Sequence, residues 1–131
     1  MKADVAFVPH WGPPLSTAVP VVCTIHDVIQ VALPEYRGGL KQRAYFSLVR
    51  SGALNAAAVM TDSEFSKHDI VKHLGLDAAR IHVAPLAVES RFTPAQPWEE
   101  LERVGAAYSL PESYVLYLGG FDKRKNIETL F

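Results

Sequence analysis

Pro20-Val21-Val22-Cys23-Thr24-Ile25-His26-Asp27 decides the architecture, because a short valine-rich run here stops abruptly on two side chains that do chemistry. Such a run reads as a strand buried on both faces, the habit of a parallel sheet covered by helices. Upstream, Asp4 to Val8 has the same look. Between the two, Pro9-His10-Trp11-Gly12-Pro13-Pro14 must be loop, since its prolines and glycine cannot sustain a ladder. Downstream, residues 40–57 predict a helix. On a 100° wheel Tyr45, Phe46, Leu48, Val49, Ala53 and Ala56 share one side, and Arg43, Ser47, Arg50, Ser51 and Asn55 the other. Ala58 to Thr61 predicts a further strand. Asp62-Ser63 then offers capping side chains for a helix to about Leu74, and Gly75-Leu76 supplies its stop. Ile81 to Leu86 is the next strand, with Pro85 near its end.

Beyond this point the composition shifts. Val88 to Pro111 carries three prolines, an acidic group at Glu99, Glu100 and Glu102, and a predicted helix near Trp98 to Tyr108. It reads as a connecting segment. Tyr114-Val115-Leu116-Tyr117-Leu118-Gly119-Gly120 predicts a fresh strand running into a glycine pair, and a helix is expected from Asn126 to the end at Phe131. Strands alternating with helices give an α/β class: a Rossmann-like parallel sheet with flanking helices. The pattern starts and stops mid-sheet, as in a piece of a two-domain protein.

Length and composition narrow the function classes. The chain has 131 residues, and 49% hydrophobic side chains suit a soluble globular protein with a real core. A net charge of -1 argues against a dedicated nucleic-acid binder. Cys23 is the only cysteine, which excludes intramolecular disulfides and cysteine-cluster metal sites. No apolar run approaches the roughly 20 residues of a membrane span. Met1-Lys2-Ala3-Asp4 lacks the build of a signal peptide, so export is not expected.

Candidate chemistry gathers at strand ends, where open α/β sheets bind ligands. His26 closes a predicted strand and can donate a hydrogen bond or shift protons near neutral pH; alternatively Asp27 or backbone holds it as a structural residue. Ser63 and Glu64 occupy the same sheet edge, though capping explains them equally well. Trp11 walls a pocket or simply packs. Gly119-Gly120-Phe121-Asp122-Lys123-Arg124-Lys125-Asn126 leaves a strand and enters a helix, so its glycines, its cations and the helix N-terminus suit a phosphate or diphosphate. A solvated charged turn is the competing reading. His68 and His73 are five residues apart, off the spacing for two helical metal ligands. Arg43 and Arg50 share a polar face that either rests on anionic lipid headgroups or is merely solvated.

Five strings, Val8 to Pro14, Thr24 to Asp27, Thr61 to Lys67, Val83 to Val88 and Tyr117 to Asn126, together resemble the retaining group 1 (family 4) glycosyltransferases. The resemblance implies a GT-B architecture, two facing Rossmann-like domains with the active site between them, here incomplete. Residues 1–88 would be the later part of the N-terminal, acceptor-side domain, 89–112 the interdomain linker, and 113–131 the start of the C-terminal, donor-binding domain. It implies transfer of a sugar, with mannose one candidate, from a nucleotide-diphosphate sugar to a hydroxyl of a lipid or polysaccharide acceptor, with retention and without metal or cofactor. His26 matches the catalytic cleft histidine. Lys125 matches the lysine on the donor diphosphate, Arg124 stands in for the family's arginine, and Gly119 and Gly120 give the backbone close approach. His10, Trp11, Asp27, Ser63 and Glu64 would line the cleft. A cytoplasmic site of action is implied, peripheral to the inner membrane face, with the isolated chain inactive. The alternative is a noncatalytic truncated α/β module that only binds phosphate or self-associates, because the apolar strand Tyr114 to Leu118 needs partners, from the N-terminal sheet or from a second copy.

Overall fold

A computed structural model of the chain describes residues 3–94 and 96–130. Met1, Lys2 and Phe131, which bound several of the expected segments, lie outside the described residues, as does Ala95. The chain divides into two compact units, Met1–Ala87 and Val88–Phe131.

The first unit is built on a four-stranded sheet in the order β1 (Ala6–Val8), β2 (Val21–Thr24), β3 (Ala58–Thr61) and β4 (Ile81–Val83). Every neighbouring pair is parallel, with Val8 beside Cys23, Thr24 beside Met60 and Thr61 beside Val83. The chain is thus Rossmann-like α/β, as its alternation of elements predicts. A short helix α1 (Ile29–Ala32) follows β2, α2 (Leu40–Asn55) leads to β3, and α3 (Glu64–Leu74) leads to β4. Val21, Cys23, Ile25, Val59, Ile70, Leu74 and Ile81 are buried in one cluster with Val28, Ala53 and Ala56. Cys23 is fully enclosed there, and burial pushes its thiol up to about 11 against the lowering influence of Arg80. β4 stops before its expected end. Ala84 N–H donates the last ladder bond, to Thr61 O at 2.8 Å.

Both helix ends of α3 follow from local chemistry. Ser63 Oγ accepts the N–H of Ser66 at 3.1 Å, and Gly75 takes the left-handed conformation at φ +67° while its N–H returns to Val71 O. Leu76 is then buried beside the helix end. Helix α2 departs further from expectation. Its buried stripe is Val49, Gly52 and Ala53, whereas Tyr45 and Leu48 stay about half exposed, at 49% and 55%. Close approach is the reason. A Cβ on Gly52 would lie 2.2 Å from the carbonyl oxygen of Pro13, so small residues meet the proline loop and the bulky ones are left outside.

In the second unit α4 (Trp98–Tyr108) forms where expected, with Arg103 donating to both carboxylate oxygens of Glu100 at 2.7 and 2.8 Å. That bond holds the Glu100 carboxyl below its ordinary range. Two expectations fail here. Tyr114 to Leu118 forms no strand, and no strand occurs among the described residues of this unit. A buried parallel strand exists only between neighbours, which these residues lack, so Val115 and Leu118 stay 90% and 94% exposed. The segment belongs neither to the four-stranded sheet nor to any other pairing among the described residues. The helix expected from Asn126 is replaced by two 3-10 turns, Lys123–Lys125 and Ile127–Leu130, with Asn126 between them at φ +49°. A short helix without a surface to pack on is marginal in water.

Gly52→Ala tests the contact that fixes α2. Alanine gains about 1 kcal/mol of helix propensity, but overlap with Pro13 costs about 1–3 kcal/mol. A net loss is expected in the denaturation midpoint; a variant as stable as the parent would remove this contact as a packing constraint.

Candidate functional site

Parallel strands deliver their carboxyl ends to one edge of the sheet, and here that edge gathers Pro9-His10, His26-Asp27 and Asp62-Ser63-Glu64. Register decides which of them meet. Thr24 sits beside Met60, so two residues further along each strand His26 comes opposite Asp62. Nδ1 of His26 is 2.8 Å from Asp62 Oδ2. On the other side Nε2 lies 3.3 Å from the carbonyl oxygen of Pro9, at the end of β1. The ring of His10 approaches that of His26 with centroids 5.7 Å apart. The histidine is 38% exposed and its carboxylate partner 24%, so the pair stands at the surface of the edge with one side open.

Both partners of the ring are acceptors. A neutral imidazole donates to only one, and the shorter, charge-assisted bond to Asp62 takes the proton onto Nδ1. Only the doubly protonated ring satisfies both acceptors at once. The longer Nε2 contact is the one that an incoming hydroxyl displaces most easily. The site therefore offers an oriented imidazole backed by a carboxylate, able to position a hydroxyl or to relay a proton.

The other expected residues divide. Asp27 does not hold His26; its Oδ1 accepts the N–H of Ile29 at 3.1 Å and turns the chain into α1. Ser63 is engaged in capping α3 and donates to Ser66 Oγ at 3.1 Å, while Glu64 stands exposed in the first turn of that helix. Trp11 is a packing residue, edge-on to Phe46 with centroids 5.4 Å apart and set against the core cluster. Sequence reasoning missed Asp62 and the Pro9 carbonyl as the partners of His26. The signal was present in the placing of His26 and Asp62, each directly after a short apolar run, legible once those runs are taken as adjacent parallel strands in register.

In the second unit the glycine pair and its cations form a compact loop. Tyr117 Oη donates to Gly120 O at 2.8 Å, and a Cβ on Gly119 would lie 2.6 Å from that hydroxyl, so glycine permits the tyrosine to fold back. Asp122 Oδ1 accepts the N–H of Arg124 at 3.0 Å and lies 3.4 Å from its Nε. That pairing ties down Arg124. Lys125 is exposed and has no ion pair among the described residues. The helix N-terminus expected to reinforce this loop is absent, replaced by the 3-10 turn Lys123–Lys125, so its side-chain cations alone carry its positive character.

Residues 1–92, which contain the whole His26 arrangement, match the model of Glycosyltransferase Family 4. The chain belongs to glycosyltransferase family 4. This family 4 chain is 30% identical over 109 residues to O-antigen chain mannosyltransferase B of Escherichia coli, a match covering 83% of it and 29% of that relative. It is 26% identical over 111 residues to the serotype-specific mannosyltransferase WbdA of Escherichia coli, covering 83% of the chain and 14% of WbdA. The chain thus spans less than a third of the length of these relatives. The loop Gly119 to Asn126 lies beyond the residues matched by the family model. No helix among the described residues is long and apolar enough to cross a membrane.

Asp62→Ala is expected to move the neutral His26 ring from the Nδ1–H to the Nε2–H tautomer, since the Pro9 carbonyl is then its remaining acceptor. Long-range proton–nitrogen NMR reads the two forms directly. An unchanged tautomer would show that Asp62 does not orient the ring.

Proposed function

We propose that this chain is the central part of a retaining GT-B glycosyltransferase, with residues 1–88 on the acceptor side, 89–112 as the linker and 113–131 opening the donor side. The observation that carries the reading is the family match over residues 1–92 together with the His26–Asp62–Pro9 arrangement inside it at the carboxyl edge of the sheet. The names of the relatives support mannose as the sugar and a glycan as the acceptor. In the reaction the bond from the anomeric carbon to the diphosphate oxygen breaks, the diphosphate keeps the electron pair and takes up the proton of the acceptor hydroxyl, and a bond forms from the acceptor oxygen to the same carbon. His26 orients a hydroxyl beside the reacting carbon. Lys125 offsets the charge that builds on the leaving diphosphate, with Arg124 sharing its own charge between that diphosphate and Asp122. Gly119 and Gly120 allow the backbone near it, and His10, Ser63 and Glu64 border the acceptor side. The donor is a nucleotide-diphosphate sugar, no metal takes part, and the protein works in the cytoplasm at the inner membrane face. Without a formed strand or helix around the loop, this length of chain holds the donor weakly and does not turn over alone.

Calorimetric titration with uridine and guanosine diphosphates and their hexose derivatives tests the donor assignment. Binding in the millimolar range is expected, weakened at least about tenfold, or about 1.4 kcal/mol, by Lys125→Ala. Binding that ignores Lys125 would take the diphosphate off this loop.

A second reading is favoured by the exposure of Val115 and Leu118 without pairing partners: a noncatalytic module that self-associates through residues 114–118. Light scattering separates the two. A clean monomer would remove the self-associating module, and a dimer broken by Leu116→Lys would support it.

A further inference from the structure

A cleft of about 660 Å³ opens in the first unit between the segment around α1, helix α2 and the C-terminal turn of α3. Its volume falls within the range of small-molecule sites, about 300–1,000 Å³. Arg37, Arg43, Arg50 and His73 all line it, and no aspartate or glutamate does. Three of its lining residues, Arg43, Ser47 and Arg50, recur at i, i+4 and i+7 along α2, so one stripe of that helix faces the opening. None of the three arginines belongs to an ion pair among the described residues.

Two of these guanidinium groups are held in place without being neutralised. Arg37 Nε donates to Val31 O at 3.0 Å, and Arg50 Nε donates to Leu74 O at 2.6 Å, at the C-terminal end of α3. Each such bond uses one donor of the guanidinium's five and leaves its outer edge for a ligand. Arg43 is bonded only through its backbone N–H, to Gly39 O at 3.1 Å, and its guanidinium makes no hydrogen bond among the described residues. Beside them Gln30 Oε1 is buried with no partner. That oxygen is closed off from solvent, so a ligand meets the guanidinium edges alone, which calls for several anionic oxygens.

We propose that this cleft binds a phosphate ester, either a soluble ester or the headgroup of an anionic phospholipid. Several fixed guanidinium groups match the multiple oxygens of a phosphate, whereas a carboxylate offsets only one charge and engages one fork. This site lies in the first unit and is independent of the proposed donor loop.

The test uses the whole chain with sn-glycerol 3-phosphate and acetate in solution, and with vesicles of phosphatidylcholine alone or mixed with phosphatidylglycerol. Binding of glycerol 3-phosphate, or of the phosphatidylglycerol vesicles, is expected, weakened at least about tenfold in Arg43→Gln and unchanged in Lys125→Ala. The Arg43 side chain is exposed and unbonded, so its replacement leaves the fold intact, which circular dichroism verifies. Preference for the soluble ester identifies a diffusible ligand, and preference for the vesicles identifies a lipid headgroup; both carry the same chemistry. The proposal is overturned if neither binds at about 10 mM, if acetate binds as well as the ester, if Arg43→Gln binds like the parent, or if Lys125→Ala abolishes the signal.

Discussion

The parallel pairing of β2 with β3 is the constraint on which the rest of the first unit depends. It sets Cys23 beside Val59 and buries both, and it sends the two strands out of the sheet in step. Everything at the edge inherits that step. A slip of one residue would turn Cys23 and Val59 away from the core and carry His26 past Asp62. Packing and site geometry are therefore enforced by the same hydrogen-bonded ladder, and the stability of the core guarantees the alignment of the imidazole with its carboxylate.

What could be read from sequence was local. The cap at Ser63, the glycine stop at Gly75 and the valine-rich strands are each decided by neighbours a few residues away, and each appears as expected. What escaped was relational. Asp27 is adjacent to His26 in sequence, yet Asp62 holds the ring, because adjacency in a parallel sheet runs across strands. Likewise the wheel for α2 put Tyr45 and Leu48 on the packing side with Val49 and Ala53; the latter two are buried, the former two are not, and Gly52, which the wheel left out, is the residue that meets Pro13. The segment Tyr114 to Leu118 illustrates the limit from the other direction. Its composition is that of a buried strand, but composition cannot supply partners, and the segment remains irregular.

Two clusters of positive charge differ in how the protein has handled them. In the loop after Gly120 a carboxylate, Asp122, shares its oxygen between the backbone of Arg124 and its guanidinium. In the cleft beside α2, backbone carbonyls orient the arginines instead, and no carboxylate intervenes. Orientation by a neutral acceptor fixes a guanidinium while leaving its full charge to the surroundings, an arrangement that suits attraction of an anion from solvent more than local stability.

The loop from Pro9 to Pro13 is anchored at both ends, by the contact of the Pro9 carbonyl with His26 and by the seating of Pro13 against Gly52. Trp11 adds a third attachment on Phe46. With prolines already restricting its backbone, this stretch gives up its conformational freedom when the chain folds. A molecule arriving beside His10 thus meets a surface with little freedom left to lose. Any ligand bound there would face a rigid template and be selected by shape, since the loop has little capacity to remodel itself around a poor fit.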